Sequence, residues 1–257
     1  MNVLIDTPSK SLLFTNIVRL LSSIADEVNI LVDASKIFIQ AMDTSHVSMF
    51  ELTLDSTWFD KYMFEGTALV LGVRLTILSK ILACRSTSQT IELVSRSDSL
   101  DINFKSDNRE EVNKYFSTNL YAFDQDILCV PETEYDVDIK IGSAQIQCII
   151  GMLAQFGTVV RISCDEGGIT LSNTEMQSET KMTATINAED INEYAIVEDS
   201  KSEAAYSLQC LTLITCFCKA AGDVSIHLTP ALPLNLIYAI SETSNIKFWV
   251  SPRIEDD

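Results

Sequence analysis

Only two histidines, His46 and His227, occur in 257 residues, so the usual supply of proton-transfer groups near neutral pH is almost absent. His46 lies in Gln40-Ala-Met-Asp-Thr-Ser-His-Val-Ser-Met49, between Met42 and Met49, with no second metal ligand beside it. Seven cysteines (84, 129, 148, 164, 210, 216 and 218) are odd in number, scattered and mostly set among apolar residues, the pattern of reduced, small hydrophobes. Cys216 and Cys218 form a CxC pair, but CxxC pairs are missing and the histidines are remote, so the spacing does not make a zinc site. Neither phosphate-binding loops, a GxSxG elbow nor an HExxH helix occurs. Carboxylate pairs at Asp124/Asp126, Asp136/Asp138 and Glu255/Asp257 have the composition of a Mg²⁺ nuclease site. They fall in turn-like or terminal segments, where solvated surface charge is the simpler reading. Gly167-Gly168, between two strand-like runs, reads as a hairpin turn and not as a phosphate cradle. The expectation is a protein without catalytic activity, metal or cofactor. An apolar patch with one polar tip is the composition of a partner-binding surface, which is the reading given to Met42, His46, Val47 and Met49.

The chain carries a formal charge of −18, which argues against nonspecific nucleic-acid binding over its outer surface, because phosphates repel an acidic protein. High solubility fits the same charge. A hydrophobic content of 47% supplies cores for one large or two ordinary domains. Neither a secretory leader nor an apolar run near the ~18 residues of a membrane span is visible. The expected location is the compartment of synthesis or the nucleus, away from membranes.

Those residues must be positioned by a mainly β scaffold. Alternating apolar and polar residues predict strands over 28–32, 37–42, 47–54, 90–94, 100–104, 137–141, 159–163, 181–186, 225–228 and 234–239. Helical spacing appears over 10–24, 75–84, 144–156 and 208–220, two in each half. A shift of 132 positions carries Val28-x-Ile30-x-x-Asp33-x-x-x-Ile37-x-Ile39 onto Val160-x-Ile162-x-x-Asp165-x-x-x-Ile169-x-Leu171. Duplication of one α+β unit explains this. Between the halves, Asn119 to Tyr135 has no clear period, contains Pro131 and reads as a connector. The division is therefore 1–118, a connector over 119–135, and 136–257.

The segment Gln40 to Met49 resembles the Met-Asp-Ser-Ser-His-Val-Ser core of the eukaryotic sliding clamp family, proliferating cell nuclear antigen. Leu71-Gly-Val-Arg-Leu-Thr76, Ser79-Lys-Ile-Leu82, Val130-Pro-Glu-Thr-Glu-Tyr135, Val160-Arg-Ile-Ser-Cys164 and the ending Val250 to Asp257 match the family at similar intervals. The resemblance implies two similar domains, each with antiparallel sheets outside and two helices inside, and closure of three chains into a homotrimeric ring around duplex DNA. It also implies a processivity factor in the nucleus. The partners implied are DNA polymerase, clamp loader, flap endonuclease, DNA ligase and other proteins carrying PIP-box peptides.

By position, the resemblance makes Lys10, Arg19, Arg74, Lys80 and Lys219 DNA-facing. It builds a peptide groove from Met42, His46, Val47, Met49, Leu128, Val130, Pro131, Tyr135, Pro233, Trp249, Val250 and Ser251. It places edges at Glu111 to Ser117 and Ser178 to Thr183 in the subunit interface, with Tyr115 as an anchor beside Glu111, Lys114, Ser178 and Lys181. Three departures stand out. Thr15, Asn16 and Ser22 occupy usually basic positions of the first helix, Cys148 and Gly151 replace arginines of the third, and Glu166 replaces the lysine that family members present for ubiquitin. Weaker, less salt-sensitive DNA contact is expected. A subunit of a heterotrimeric DNA-damage checkpoint clamp is the alternative, against which the intact Met42–Met49 segment and the Ile254-Glu-Asp-Asp257 ending count.

Overall fold

The computed structural model describes residues 1–108, 110–131, 133–173 and 180–253. They form two compact units: residues 1–44, 51–128 and 241–245 in the first, and 45–50, 129–240 and 246–257 in the second. The first unit runs β1 (Asn2–Ile5), α1 (Pro8–Leu21), β2 (Glu27–Val32), β3 (Lys36–Met42), most of β4 (Ser48–Asp55), β5 (Lys61–Met63), β6 (Leu69–Arg74), α2 (Leu75–Ala83), β7 (Thr90–Ser95), β8 (Ser99–Lys105) and β9 (Lys114–Asn119). Its sheet orders are β5-β1-β7-β8-β9 and β4-β3-β2-β6. The second unit repeats that succession: β10 (Val137–Gly142), α3 (Ser143–Leu153), β11 (Val159–Asp165), β12 (Gly168–Asn173), β13 (Thr183–Asn187), β14 (Glu193–Ile196), β15 (Ser202–Ser207), α4 (Leu208–Thr215), β16 (Asp223–Leu228), β17 (Leu234–Ala239) and β18 (Asn245–Val250). Its orders are β14-β10-β16-β17-β18 and β13-β12-β11-β15.

Alternation drives this arrangement. Strands such as β8, β10 and β16 bury every second residue, and that face meets the apolar stripe of a helix pair. Phe14, Ile17, Leu21, Leu78 and Leu82 of α1 and α2 are buried in the first unit, as are Ile146, Ile150, Leu153, Leu211 and Ile214 of α3 and α4 in the second. Each such side chain stabilises by about 1.5–3 kcal/mol. An apolar void of about 20 Å³ among Ile139, Ile146, Ile162, Leu211 and Ile226 has no polar lining to hold water.

The duplication extends to single hydrogen bonds. In the first hairpin, Asp33 Oδ1 accepts from the Ser35 N–H at 2.6 Å, and the Tyr62 hydroxyl shares its proton between the carbonyls of Asp33 and Lys36 at 2.6 and 2.9 Å. In the second, Asp165 Oδ1 accepts from the Gly167 N–H at 2.8 Å, and the Tyr194 hydroxyl is shared between the carbonyls of Asp165 and Gly168 at 2.6 and 3.0 Å. Burial, with Asp33 and Asp55 nearby, pushes the Tyr62 hydroxyl up to about 12, so it remains a donor. Gly168 has φ +132°, and a Cβ there would meet the Ile186 carbonyl oxygen at 2.1 Å.

Several elements escape the periodicity of the sequence. β1, β5 and β14 are too short to show a period. β6 is an apolar run continuous with α2, and β15 contains two alanines of low strand propensity. Asn245–Val250 is also a strand, burying Ile246, Phe248 and Val250 in alternation, which the periodicity over 225–239 does not reach. The third helix covers Ser143–Leu153, and the last helix ends at Thr215, tightening into a 3₁₀ turn over Cys216–Lys219.

The first helix runs Pro8–Leu21 instead of 10–24, because Pro8 opens it and Asp60 caps it from outside. The Asp60 carboxylate accepts from the N–H groups of Asp6 and Thr7 at 2.6 and 2.9 Å, from Thr7 Oγ1 at 2.9 Å and from Lys10 Nζ at 2.9 Å. Burial opposes its charge, but these donors win and hold its pKa at about 2, below the ordinary 3.8. A depressed carboxylate stabilises above its unfolded pKa and loses that contribution as pH falls through the folded one. Asp60→Asn should therefore lower stability by about 1 kcal/mol at pH 7. The deficit should shrink between pH 3.8 and about 2, as read by urea midpoints; a deficit constant to pH 2 would exclude the capping role.

Candidate functional site

The turn between β3 and β4 carries the central residues of the peptide groove expected from sequence. His46 is exposed at φ 55°, a left-handed conformation that costs a non-glycine residue about 1 kcal/mol. In the second unit the Val47 carbonyl accepts from the Ser251 N–H at 2.9 Å, which brings the turn and the end of β18 together. Tyr135 is half-buried just before β10, and Trp249 of β18 is half-buried as well. The next residue is fixed twice: the Asp136 N–H donates to Thr229 Oγ1 at 2.8 Å, and its carbonyl accepts from the Val197 N–H at 3.0 Å. Pro131, Pro233 and Ser251 are exposed, and Val130 is half-buried.

Val250 is fully buried on the core-facing side of β18 and supports the site from behind. Met49 is nearly buried although it shares a face of β4 with the half-exposed Glu51 and Thr53, opposite Phe50, Leu52 and Leu54. Met42 and Leu128 belong to the first unit. Leu128 is held there by Gln40, whose Nε2 donates to the Leu128 carbonyl at 2.9 Å and whose Oε1 accepts from the Leu128 N–H at 2.7 Å. That pairing imitates a strand ladder with one side chain.

It is the last of a series that lays the connector along the first unit. The Tyr121 N–H donates to the Gly72 carbonyl at 2.9 Å, Asn29 Nδ2 donates to the Phe123 carbonyl at 3.0 Å, and Gln125 Nε2 donates to the Glu27 carbonyl at 2.9 Å. Gly72 admits this approach, since a Cβ there would meet the Tyr121 oxygen at 2.1 Å. Sequence reasoning read 119–135 as an aperiodic connector and did not identify these tethers; two amides on strands, Asn29 and Gln40, and Gln125 within the connector were the available signal.

The five basic residues expected to face DNA divide by their partners. Lys10 is ion-paired with Asp60 at 2.9 Å and lies 6.0 Å from the Trp58 ring centroid. Arg74 is paired with Glu27 at 2.9 Å and stands over Tyr121. Arg19 in the last turn of α1, Lys80 on α2 and Lys219 in the final 3₁₀ turn are exposed and have no ion pair among the described residues. The exposed positions of α3 are Ala144, Gln145, Cys148, Gly151 and Met152, none of them charged.

These features, a duplicated α+β unit with paired helices and a tethered connector, agree with what the family models find: residues 8–128 match the N-terminal domain of proliferating cell nuclear antigen, and residues 129–253 match its C-terminal domain. The chain belongs to the proliferating cell nuclear antigen family, the DNA sliding clamps. The junction of the two matches falls inside the connector.

Within this clamp the two edges assigned to subunit contact differ in what they offer. β9 pairs only with β8, and β13 only with β12, among the described residues. Tyr115 on β9 is 66% exposed, and neighbouring Val112 is 76% exposed. Lys114, by contrast, is turned inward: its Nζ donates to the Cys84 carbonyl, Ser86 Oγ and Gln89 Oε1 at 2.7, 3.1 and 3.2 Å, pinning the start of β9 to the end of α2. Glu111 is half-buried and Lys181 exposed, while Ser178 and the Ile254–Asp257 ending lie outside the described residues. Glu166 is exposed in the β11–β12 turn, with Oε1 3.3 Å from the Asp199 N–H.

Removing the tether at Gln40 tests the connector. Gln40→Ala should raise hydrogen-exchange rates at residues 126–128 by at least about fivefold, because each hydrogen bond removed contributes about 1 kcal/mol to local protection. Unchanged exchange there would mean that packing alone holds the segment.

Proposed function

We propose that this clamp closes as a homotrimer around duplex DNA, acts as a processivity factor for a replicative polymerase in the nucleus, and docks partners that carry PIP-box peptides. The observation that carries the reading is the pair of unpaired strand edges, β9 in one repeat and β13 in the other, within a chain of this family. Head-to-tail pairing of β9 with β13 of the next copy satisfies both edges and closes a ring by repetition. Tyr115 packs at the centre of that joint, with Glu111 and Lys181 around it, and Lys114 keeps β9 in register from behind.

In this ring the domains are 1–118 and 136–257, and the 119–135 connector serves as one wall of the docking groove. Clamp loader, flap endonuclease, DNA ligase and polymerase are the expected users. His46, Val47, Met49, Val130, Pro131, Tyr135, Pro233, Trp249 and Ser251 make the docking surface of the second unit, backed by Val250, while Met42 and Leu128 offer apolar contacts on the first unit. A short 3₁₀ turn bearing one aliphatic and two aromatic anchors fits an apolar pocket whose rim offers backbone hydrogen bonds. His46 serves as a hydrogen-bonding tip and moves no proton.

Arg19, Lys80 and Lys219 face DNA directly, and Lys10 and Arg74 contribute a field damped by Asp60 and Glu27. Topological enclosure removes the need for affinity, so few cations suffice.

Three measurements test this reading. Native mass spectrometry should find one chain type at three times 28.6 kDa; a persistent monomer, or assembly only with two other chain types, would overturn it. His46→Ala should keep that mass and weaken an aromatic-anchored peptide by roughly threefold to tenfold, the cost of about one hydrogen bond. The double variant Lys80→Ala, Lys219→Ala should lower the slope of log affinity against log salt by about 0.9 for each phosphate no longer neutralised. An unchanged slope would remove these lysines from the DNA-facing set.

A further inference from the structure

The second unit holds a polar cluster that the groove as expected from sequence does not include. Asp138 of β10 and His227 of β16 are cross-strand partners in the antiparallel register, and His227 Nδ1 lies 2.5 Å from Asp138 Oδ1. The imidazole packs beside the Tyr135 ring, with ring centroids 5.4 Å apart and planes tilted by 35°. Three side chains thus form one row, from Asp138 through His227 to Tyr135, and the last belongs to the docking surface.

The geometry points to Asp138 and His227 as a positioning pair: Asp138 orients the imidazole, the imidazole fixes the Tyr135 ring, and protonation of His227 tightens binding of an aromatic-anchored peptide. This rests on the groove reading above.

The physical reasons are local. A tyrosine ring presented at a groove edge loses rotational freedom on binding unless something already holds it, so a preset ring improves affinity. Histidine is the side chain that ordinarily changes charge between pH 5 and 8, and an imidazolium attracts the negative face of an aromatic ring where a neutral imidazole does not. The same proton strengthens the bond to Asp138, because both partners are then charged.

Nothing else described competes for His227. On β10, Lys140 is paired with Glu193 of β14 at 2.8 Å. Asp223, at the start of β16, accepts from Asn192 at 3.0 Å, and Ala195 of β14 stands opposite Asp138. On β17, Asn235 is in register with His227, but its Nδ2 donates to the Phe248 carbonyl at 3.0 Å. Lys247 of β18 and Glu134 and Asp136 before β10 complete the charged groups of these elements. Burial first, and then the Asp138 carboxylate, raise the Tyr135 hydroxyl above its ordinary value. The phenol therefore remains protonated throughout the range in which histidine titrates.

The test is the affinity of the intact clamp for a fluorescent peptide with one aliphatic and two aromatic anchors, measured from pH 8 to pH 5.5. Native protein should bind about twofold to fivefold more tightly at the acid end, the size of one exposed cation–π contact. His227→Gln should bind more weakly at pH 6 and show no such dependence. Asp138→Asn should weaken binding and reduce the pH effect, with native mass and thermal midpoint reported for both variants. Equal pH profiles in native protein and His227→Gln would overturn the pair while leaving the groove in place. Failure of native protein to bind the peptide at any pH would overturn the groove and the pair together.

Discussion

An unpaired strand edge is the constraint on which most of this architecture depends, because every exposed N–H and carbonyl along it must find a partner in water or in protein. The chain answers edge by edge. The outer side of β6 receives the Tyr121 N–H, and the Ala205 carbonyl of β15 accepts from the Arg253 N–H at 2.8 Å. β5 is kept to three residues and β14 to four. β9 and β13 have no such covering among the described residues, and they occupy different sheets of different repeats. Two longer edges left open where the others are covered or short support the proposed self-assembly on physical grounds.

The tyrosine–aspartate clamps show how duplication was preserved where it carries a mechanical load. Asp33 and Asp165 shape the two hairpins, and Tyr62 and Tyr194 tie down the carbonyls on either side of each turn. The strands on either side keep the same apolar alternation, but the turns differ: Ser35 becomes Gly167, and the second turn closes against the Ile186 carbonyl so tightly that only glycine fits. The two repeats agree where a tyrosine hydroxyl satisfies two backbone oxygens.

Legibility followed the same division. Long alternating runs such as those of β8 and β16, and the helix pairs, could be read from periodicity because burial imposes it. Strands of three or four residues, and β15 with its alanines, could not, since their pairing is set by distant neighbours and not by their own pattern. For the site, residue types pointed to the His46 turn and the connector, but not to which side chains face outward. Lys114 illustrates why: its position beside an edge suggests a charged contact, yet the carbonyl at the end of α2 and two side chains nearby capture it. Lys10 was drawn in similarly by an aspartate 50 residues away, a relation that only the tertiary fold supplies.

The two histidines close the argument about charge. In a protein with twice as many acidic as basic residues, a cation close to a carboxylate is readily captured by it, as Lys10, Arg74, Lys105 and Lys140 are. Those left exposed without ion pairs on the helices, Arg19, Lys80 and Lys219, are few, which suits a molecule that must stay on DNA without gripping it. His46 and His227 sit outside that pattern of fixed charge. One is held exposed in a left-handed turn; the other is placed between a carboxylate and an aromatic ring. On the proposed reading, an acidic surface that repels phosphate thereby retains, at its docking edge, the means to respond to an aromatic ligand.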